Sequence, residues 1–205
     1  MQKAFAYLFL IFIILVALNY FLGQAQEVYN SSTITFNPAL SSRGLSSIDF
    51  STFKKGGTGW GYITQGYGKT PYSYLYKSGW HNGIDISAQY SASIRSASDG
   101  VVIATGNQDE YCYHRGFGKY IAIKDSSNSL ILWYAHLGII SVSPGDIIKK
   151  EMPIGTVGAT GFETGTHLHF SIFSTAGFSM QNKNGCGPDP VGKDLNPIQY
   201  LGTTY

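Results

Sequence analysis

Four of the five histidines in this chain lie in three short motifs whose side chains could hold a metal ion. The motifs are an H-x-x-x-D segment with His81 and Asp85, a Tyr-Ala-His-Leu segment with His136, and an H-x-H segment with His167 and His169. Zinc binds imidazole nitrogens and carboxylate oxygens, and a catalytic zinc site leaves one position open for water. Two imidazoles and one carboxylate satisfy that need, and the other two imidazoles are available to transfer protons. The motifs therefore predict a zinc hydrolase site.

Each motif also has a simpler interpretation, and the combination decides between them. A single buried histidine usually makes a structural hydrogen bond, and an H-x-H pair alone could belong to a structural zinc site or arise by chance. Structural zinc sites usually use four protein ligands, often cysteines, whereas neither Cys112 nor Cys186 lies in a motif. The presence of all three motifs in one chain favours a catalytic metal site.

The spacing of the H-x-H motif indicates how two of the histidines are presented. Side chains alternate between the faces of a β-strand, so His167 and His169 would share one face, about 6.6–7 Å apart along the chain. One of them could hold the metal while the other reaches its water. Gly83, between His81 and Asp85, would let the chain turn tightly there.

The order and content of the motifs resemble the lysostaphin/LytM-type zinc endopeptidases. The resemblance covers roughly residues 60–201 and includes the segment T-G-T-H-L-H-F at residues 164–170. Glycine-containing segments between the motifs match as well, at residues 99–102, 116–121, 144–146 and 154–161. Any one segment would be a weak signal, but together and in this order they indicate the family.

The resemblance implies a role for each motif residue. His81, Asp85 and His169 would bind one zinc ion, whereas His136 and His167 would transfer protons and stabilise charge. These two histidines would replace the glutamate base of the H-E-x-x-H enzymes, a motif that this chain lacks. The substrate would be a peptide bond of a peptidoglycan stem or cross-link.

Several further residues are candidates for the surroundings of this site. Relatives of this type carry a tyrosine that helps to hold the transition state, and either Tyr74 or Tyr76 could supply it, although each could instead be a groove-wall or core aromatic. Glu163 could contact a substrate amine, but a solvated loop position is the simpler expectation. Trp80 and Trp133 adjoin motif residues and are expected to pack beneath them.

Composition and strand patterns predict the fold that must position these residues. The chain is 43% hydrophobic and 13% charged, which favours a packed core over extended disorder. Its 25 glycines, 15 tyrosines and 12 phenylalanines suggest a β-rich domain with many turns. The apolar runs 120–123 and 129–134 flank a hairpin signature at residues 125–128. We therefore predict an all-β, antiparallel sheet or sandwich with a groove that carries the zinc site.

The N-terminal segment predicts an association with a membrane. Residues 4–22 are apolar except for Asn19, and as a helix they would extend roughly 28 Å, close to the thickness of a bilayer core. Lys3 precedes this run, so the N-terminus would remain in the cytoplasm. Residues 1–23 are therefore expected to form a transmembrane anchor, with a signal sequence cleaved after Ala25 as the alternative.

The rest of the chain is then expected outside the cytoplasm. Residues 24–59, rich in Ser, Thr, Asn and Gly, would form a linker, and residues 60–203 would form the peptidase domain. The expected location is the cell membrane, with a single span, or a secreted or periplasmic location if the signal is cleaved. In such a compartment Cys112 and Cys186 could form a disulfide, whereas the alternative is two free thiols.

The combined prediction is a zinc-dependent endopeptidase of cell-wall remodelling. Two alternatives would use the same fold: a non-catalytic LytM-like regulator that activates cell-wall amidases, and a module that binds cell-wall peptide without cutting it. The regulator is disfavoured because such relatives lose the metal ligands, and all five motif residues are present here. The net charge of +2 gives no electrostatic basis for nucleic-acid binding, and we expect a monomer.

Overall fold

The computed structural model describes residues 62–182 and 185–200, which form β-strands joined by turns. Thirteen strands occur in these ranges: β1 Ile63–Gln65, β2 Ile84–Ser87, β3 Ser93–Arg95, β4 Gly100–Asn107, β5 Lys119–Asp125, β6 Leu130–Ala135, β7 Leu137–Ile140, β8 Ile147–Ile148, β9 Pro153–Val157, β10 His167–Ser174, β11 Ser179–Gln181, β12 Asp189–Val191 and β13 Asp194–Leu195. Short 3₁₀ turns cover Ser73–Leu75, Gln108–Glu110 and Pro197–Gln199. No α-helix occurs within the described ranges, which agrees with the predicted all-β class.

Most of the strands belong to one antiparallel sheet of eight strands. Its order is β1-β2-β10-β6-β5-β4-β8, and β13 also pairs with β10. A second sheet has the order β3-β9-β7, and β11 pairs with β12 in a third. The predicted hairpin is present as β5 and β6, in which Ile123 pairs with Leu132. The prediction of an antiparallel all-β fold is therefore confirmed.

Alternating side chains place the main core between the eight-stranded and the three-stranded sheets. The central strands β5, β6 and β10 contribute Ile121, Tyr134 and Phe170, which are fully buried. Strands β3 and β9 of the smaller sheet contribute Ile94 and Ile154 to the same cluster. Full burial of one such side chain stabilises the fold by about 1.5–3 kcal/mol, so this layer fixes the position of the central strands.

The opposite face of the central strands carries a smaller apolar cluster. Tyr120 and Trp133 stack there with ring centroids 4.3 Å apart, and Phe173 belongs to the same cluster. Because side chains alternate along β10, His169 and Ser171 lie on this face rather than in the main core. Strands β2, β10 and β6 therefore bring polar residues side by side on one surface of the large sheet.

The predicted membrane segment at residues 4–22 and the predicted linker at residues 24–59 lie outside the described residues. Within the part of the chain that the structure describes, no helix has the length and apolar character needed to cross a membrane. The boundaries of the predicted peptidase domain, residues 60 and 203, also lie outside the described ranges. The anchor, the linker and these boundaries remain predictions.

Candidate active site

Adjacent strands bring His81, Asp85 and His169 together. Asp85 in β2 pairs directly with His169 in β10, and His81 is held before β2 by a backbone bridge to Gly68. His81 Nε2 is 3.2 Å from Asp85 Oδ1 and 3.1 Å from His169 Nδ1. The third separation, from His169 Nδ1 to Asp85 Oδ1, is 2.9 Å. All three side chains are buried, so their polar atoms converge away from bulk water.

The triangle formed by these three potential ligand atoms fits a tetrahedral zinc ion. Ligand atoms at about 2.0–2.1 Å from a tetrahedral zinc ion are roughly 3.3–3.4 Å from one another, slightly farther apart than the three separations in this site. Two imidazoles and one carboxylate also match a ligand set of catalytic zinc sites, which use three protein ligands. The structure thus assembles the three residues that the resemblance names as metal ligands.

The outer ring nitrogens have partners that can hold the imidazole protons when the facing nitrogens bind a metal ion. His81 Nδ1 donates to Gly66 O at 2.7 Å, so its lone pair is on Nε2. To offer Nδ1 to a cation, His169 must carry its proton on Nε2, where Ser171 Oγ lies at 2.7 Å. Bonds of this kind fix the tautomer and the orientation of metal-binding imidazoles. Neither Gly66 nor Ser171 was recognised from the sequence.

Gly83 is required for close packing and not for the tight turn that the sequence predicted. Its backbone does not adopt the left-handed conformation that favours glycine. A β-carbon at this position would lie 2.6 Å from Ser171 Oγ and 2.9 Å from His169 Cε1. Glycine therefore leaves the space that the His169 ring and its hydroxyl partner occupy.

His136 and His167 face each other beside this triangle, with ring centroids 4.7 Å apart. His136 follows β6 with a left-handed φ of 58°. Its N–H donates to Phe117 O at 3.0 Å, and its carbonyl accepts from Gly158 N at 3.0 Å. His167 begins β10, and its Nε2 is 3.6 Å from Asp85 Oδ1. The two imidazoles adjoin the three potential ligands without belonging to that group.

Both of these imidazoles donate their Nδ1 proton to a backbone carbonyl. The acceptors are Thr160 O for His136 and Gly165 O for His167, each at 2.7 Å. The lone pair of each neutral ring is therefore on Nε2. This is the tautomer in which an imidazole can accept a further proton at Nε2.

Burial and hydrogen bonding set the protonation of the site. Burial alone would raise the pKa of Asp85, but the hydrogen bonds and charges of His169 and His81 hold this pKa well below its usual range. Burial, with smaller contributions from His167 and His169, lowers the pKa of His136 to about 3. Burial also lowers the pKa of His169. At neutral pH the site thus combines an ionised Asp85 with a neutral His136 and a neutral His169.

Tyr76, and not Tyr74, lies at the site. The Tyr76 ring stacks on the His81 ring with centroids 5.4 Å apart and 12° between the planes, and its hydroxyl donates to Gln65 Oε1 at 3.1 Å. Burial and the charge of Asp85 raise the pKa of Tyr76 to about 12, so it keeps its proton. Tyr74 is 78% exposed. The structure distinguishes two candidates that the sequence left open.

Of the two tryptophans that were predicted to pack beneath the motifs, only Trp133 does so. Trp133 is fully buried and contacts Phe117, whose ring lies 5.4 Å from the His169 ring. The prediction for Trp80 was wrong, because its ring is 40% exposed and its indole Nε1 donates to Asp194 Oδ2 at 3.0 Å. The Trp80 ring packs edge-on against Tyr67, with ring centroids 5.4 Å apart.

Glu163 is more enclosed than the predicted solvated loop position. Its Oε2 atom is buried and has no hydrogen-bond partner among the described residues. The loop that carries it connects Thr160 and Gly165, the acceptors of the His136 and His167 rings.

A disulfide links the loop after β4 to the segment before β12. Cys112 and Cys186 are bonded, with an S–S distance of 2.04 Å. Gln108, in the same loop, is fully buried and ties the same segments by a second route. Its side chain donates to Pro188 O at 2.8 Å and accepts from Phe117 N at 2.6 Å. Gln108 could not be recognised from the sequence, because a single glutamine in a loop forms no pattern.

Comparison with known proteins agrees with this geometry. The sequence profile of Peptidase family M23 matches residues 79–182, which include all five motif residues. The glycyl-glycine endopeptidase ALE-1 of Staphylococcus capitis is 32% identical over 129 residues, which are 63% of this chain and 33% of that protein. Lysostaphin of Staphylococcus simulans is 31% identical over 144 residues, 67% of this chain and 28% of that protein. The peptidoglycan DD-endopeptidase ShyC of Vibrio cholerae is 38% identical over 121 residues, 59% of this chain and 24% of that protein. This chain therefore spans about a third or less of the length of these curated relatives.

Two solved structures share the fold. The catalytic domain of the antimicrobial peptidase lysostaphin from Staphylococcus simulans matches with a TM-score of 0.52 and 25% identity, over 70% of this chain and 92% of that chain. The catalytic domain of the prophage-encoded M23 protein EnpA from Enterococcus faecalis matches with a TM-score of 0.52 and 28% identity, over 71% of this chain and 95% of that chain. Both matches cover nearly the whole of the solved domain, so the β-strands of this chain correspond to one such domain.

Proposed function

This chain belongs to peptidase family M23, whose members are zinc metallopeptidases, and from that premise we propose that it is an endopeptidase that hydrolyses peptide bonds in peptidoglycan. The observation that carries the proposal is the convergence of three ligand atoms from His81, Asp85 and His169, all within 3.2 Å of one another, beside two further imidazoles. Two relatives are named a glycyl-glycine endopeptidase and a peptidoglycan DD-endopeptidase, and these names support a cell-wall peptide as substrate.

In the proposed site His81, Asp85 and His169 hold the zinc ion. When bound, zinc supplies Lewis-acid chemistry, which acidifies water and polarises a carbonyl group. Gly66 O keeps the proton of His81 on its outer nitrogen, and Ser171 Oγ accepts the outer proton of His169 when Nδ1 binds zinc. The low pKa of Asp85 keeps its carboxylate ionised and able to bind a cation.

His136 and His167 transfer protons in the proposed reaction. Each Nδ1–H group is committed to a backbone carbonyl, so proton transfer occurs at Nε2. One Nε2 takes a proton from the attacking water, and a protonated imidazole then delivers a proton to the leaving amine. Asp85 Oδ1, 3.6 Å from His167 Nε2, stabilises the positive charge that develops on the pair.

Tyr76 is the proposed hydrogen-bond donor to the oxyanion that forms from the peptide carbonyl. Its hydroxyl stays protonated because burial and Asp85 raise its pKa to about 12. In the free protein this proton is donated to Gln65 Oε1, and it turns towards the substrate oxygen during the reaction. A donor that meets the oxyanion and not the ground-state carbonyl stabilises the transition state more than the substrate.

Digestion of purified peptidoglycan tests this function. The purified full-length protein is incubated with peptidoglycan and zinc, and the released fragments are identified by mass spectrometry. We expect new amino termini within stem peptides or cross-links, which also identifies the bond that is cut. Chelation should abolish the release, and zinc should restore it. A His169→Ala protein controls for contaminating hydrolases, and an inactive zinc-loaded wild-type protein would contradict the proposal.

We propose further that the protein acts outside the cytoplasm and that residues 4–22 tether it to the membrane. The apolar run and the Cys112–Cys186 disulfide support this location. A tether would raise the effective concentration of the enzyme at the wall and limit cutting to the wall within reach. N-terminal sequencing of the mature protein tests the tether, and a start at Gln26 with soluble activity would refute it.

A further inference from the structure

We infer that Asp109 is a positioning residue for His136 and acts through the peptide group between Thr160 and Gly161. The inference rests on the proposed proton-transfer role of His136. The C=O of this peptide group, on Thr160, accepts the His136 Nδ1–H at 2.7 Å. Its N–H, on Gly161, donates to the Asp109 carboxylate, at 3.1 Å from both Oδ1 and Oδ2. One continuous series of hydrogen bonds therefore leads from a carboxylate to a candidate catalytic imidazole.

Such a series favours one tautomer of His136. A hydrogen bond from a backbone N–H to a carboxylate is roughly twice as strong as a bond between neutral groups. It also polarises the peptide group, so the Thr160 carbonyl becomes a better acceptor for the imidazole N–H. Asp109 thereby favours the proton on Nδ1 and leaves the Nε2 lone pair available for proton transfer. The carboxylate of a Ser-His-Asp triad holds its histidine in one tautomer in the same way, but by direct contact.

The Asp109 carboxylate is itself held in place. Its Oδ1 also accepts from His114 N at 3.1 Å, and its backbone N–H donates to Asn107 Oδ1 at 3.2 Å. Asp109 lies in the 3₁₀ turn Gln108–Glu110, which follows β4 directly. The carboxylate is therefore oriented before any substrate arrives.

The preceding residue, Gln108, holds the backbone of His136. Gln108 Oε1 accepts from Phe117 N at 2.6 Å, and Phe117 O accepts from His136 N at 3.0 Å. Gln108 is fully buried, so water does not compete for its side chain. Two consecutive residues thus support His136. Asp109 supports its ring, and Gln108 supports its backbone, which has the left-handed conformation.

The peptide group between Thr160 and Gly161 has little freedom to find other partners. A β-carbon on Gly161 would clash with Gly118 N, and Gly161 has a positive φ of 75°. The next residue, Phe162, donates its N–H to Gly116 O at 2.9 Å. Because the backbone is confined on both sides, removal of the Asp109 carboxylate leaves the Gly161 N–H without its acceptor.

Two substitutions of Asp109 test the inference. Asp109→Asn keeps an acceptor for Gly161 N but removes the charge, whereas Asp109→Ala removes both. We expect kcat on peptidoglycan peptides to fall about 10-fold for the asparagine and about 100-fold for the alanine variant, with unchanged zinc content and little change in KM. Glu110→Gln, which changes the neighbouring carboxylate, is the matched control and should keep the wild-type kcat.

The imidazole ¹⁵N resonances of His136 in the zinc-free protein give a second measurement that does not depend on activity. The wild-type protein should show the Nδ1-protonated tautomer, and Asp109→Ala should show a mixture of tautomers. An unchanged kcat together with an unchanged tautomer would overturn the inference. If both variants lose zinc and folded protein to the same extent as they lose activity, the inference is also overturned. The role of Asp109 would then be purely structural. A wild-type protein that cuts no peptidoglycan but shows the expected tautomers would instead contradict the proposed function.

Discussion

Ser171 Oγ lies 2.7 Å from His169 Nε2, while the other ring nitrogen, Nδ1, lies 2.9 Å from Asp85 Oδ1. A carboxylate only accepts, so without a metal ion Nδ1 carries the proton; when Nδ1 binds a metal ion the proton lies on Nε2, where the hydroxyl accepts it. Ser171 is fully buried, so water does not substitute for its side chain.

Replacement of Ser171 by alanine should weaken zinc binding by about 10- to 100-fold. Without the hydroxyl, the Nε2 proton of zinc-bound His169 loses its acceptor and the ring loses its fixed orientation. Zinc affinity is measured by competition with a chromophoric chelator. Ser174→Ala, at the half-buried end of the same strand, is the control, and a wild-type affinity in Ser171→Ala would contradict this role.

Alanine at His81, Asp85 or His169 should remove zinc and activity together, because each side chain supplies one of three ligand atoms. Metal content is measured by mass spectrometry of the purified variants. His114→Ala, which changes an exposed histidine outside the site, should keep one zinc ion per chain. A fully zinc-loaded His169→Ala protein would disprove the assignment of this ligand.

His136→Ala should retain zinc but lose roughly 10²–10⁴-fold in turnover. The reason is that its ring adjoins the ligand group without belonging to it, and its Nε2 is free for proton transfer. Turnover and zinc content are measured on the same preparation. A wild-type rate would remove His136 from the mechanism, whereas loss of zinc would make it a ligand.

Tyr76→Phe should lower kcat by about 10²-fold, which is the usual effect of removing one donor to an oxyanion. The ring would still stack on His81, so the zinc content should not change. Tyr74→Phe is the matched control, because Tyr74 is exposed. Equal rates for Tyr76→Phe and the wild-type protein would show that the hydroxyl takes no part in the reaction.

Removal of the disulfide by Cys112→Ser and Cys186→Ser should lower the free energy of unfolding by about 4 kcal/mol, through the greater entropy of the unfolded chain. Urea denaturation of the double variant measures this change. Zinc content should persist in the folded state, because Gln108 still joins the two segments through Pro188. An unchanged midpoint of unfolding would contradict the predicted contribution.

The residues of the metal site could be recognised from the sequence because their chemistry is concentrated in short segments. His81 and Asp85 are four residues apart, and His167 and His169 are two residues apart on one strand face. Two apolar runs on either side of a set of turn residues likewise indicated the β5–β6 hairpin, since local turn residues determine it. The distinction between Tyr74 and Tyr76 required the structure, because two tyrosines in the same loop have the same local pattern.

Supporting residues could not be predicted, since their partners are distant in the chain. Asp109 contacts Gly161 across 52 positions, and Gln108 contacts Pro188 across 80. No local periodicity encodes such contacts. Gly83 shows a different limit: its presence could be recognised, but whether it supplied a turn or space for the His169 ring depended on the pairing of β2 with β10.

Strand β10 carries Leu168, Phe170 and Ile172 on its core face, and His169 and Ser171 on the opposite face. A shift of its pairing by one residue would exchange the two sets and place imidazoles in the apolar interior. Completion of the core and assembly of the metal site are therefore the same event during folding. A chain that has not yet folded therefore lacks the site on which the proposed activity depends, so that activity begins only once the fold is complete.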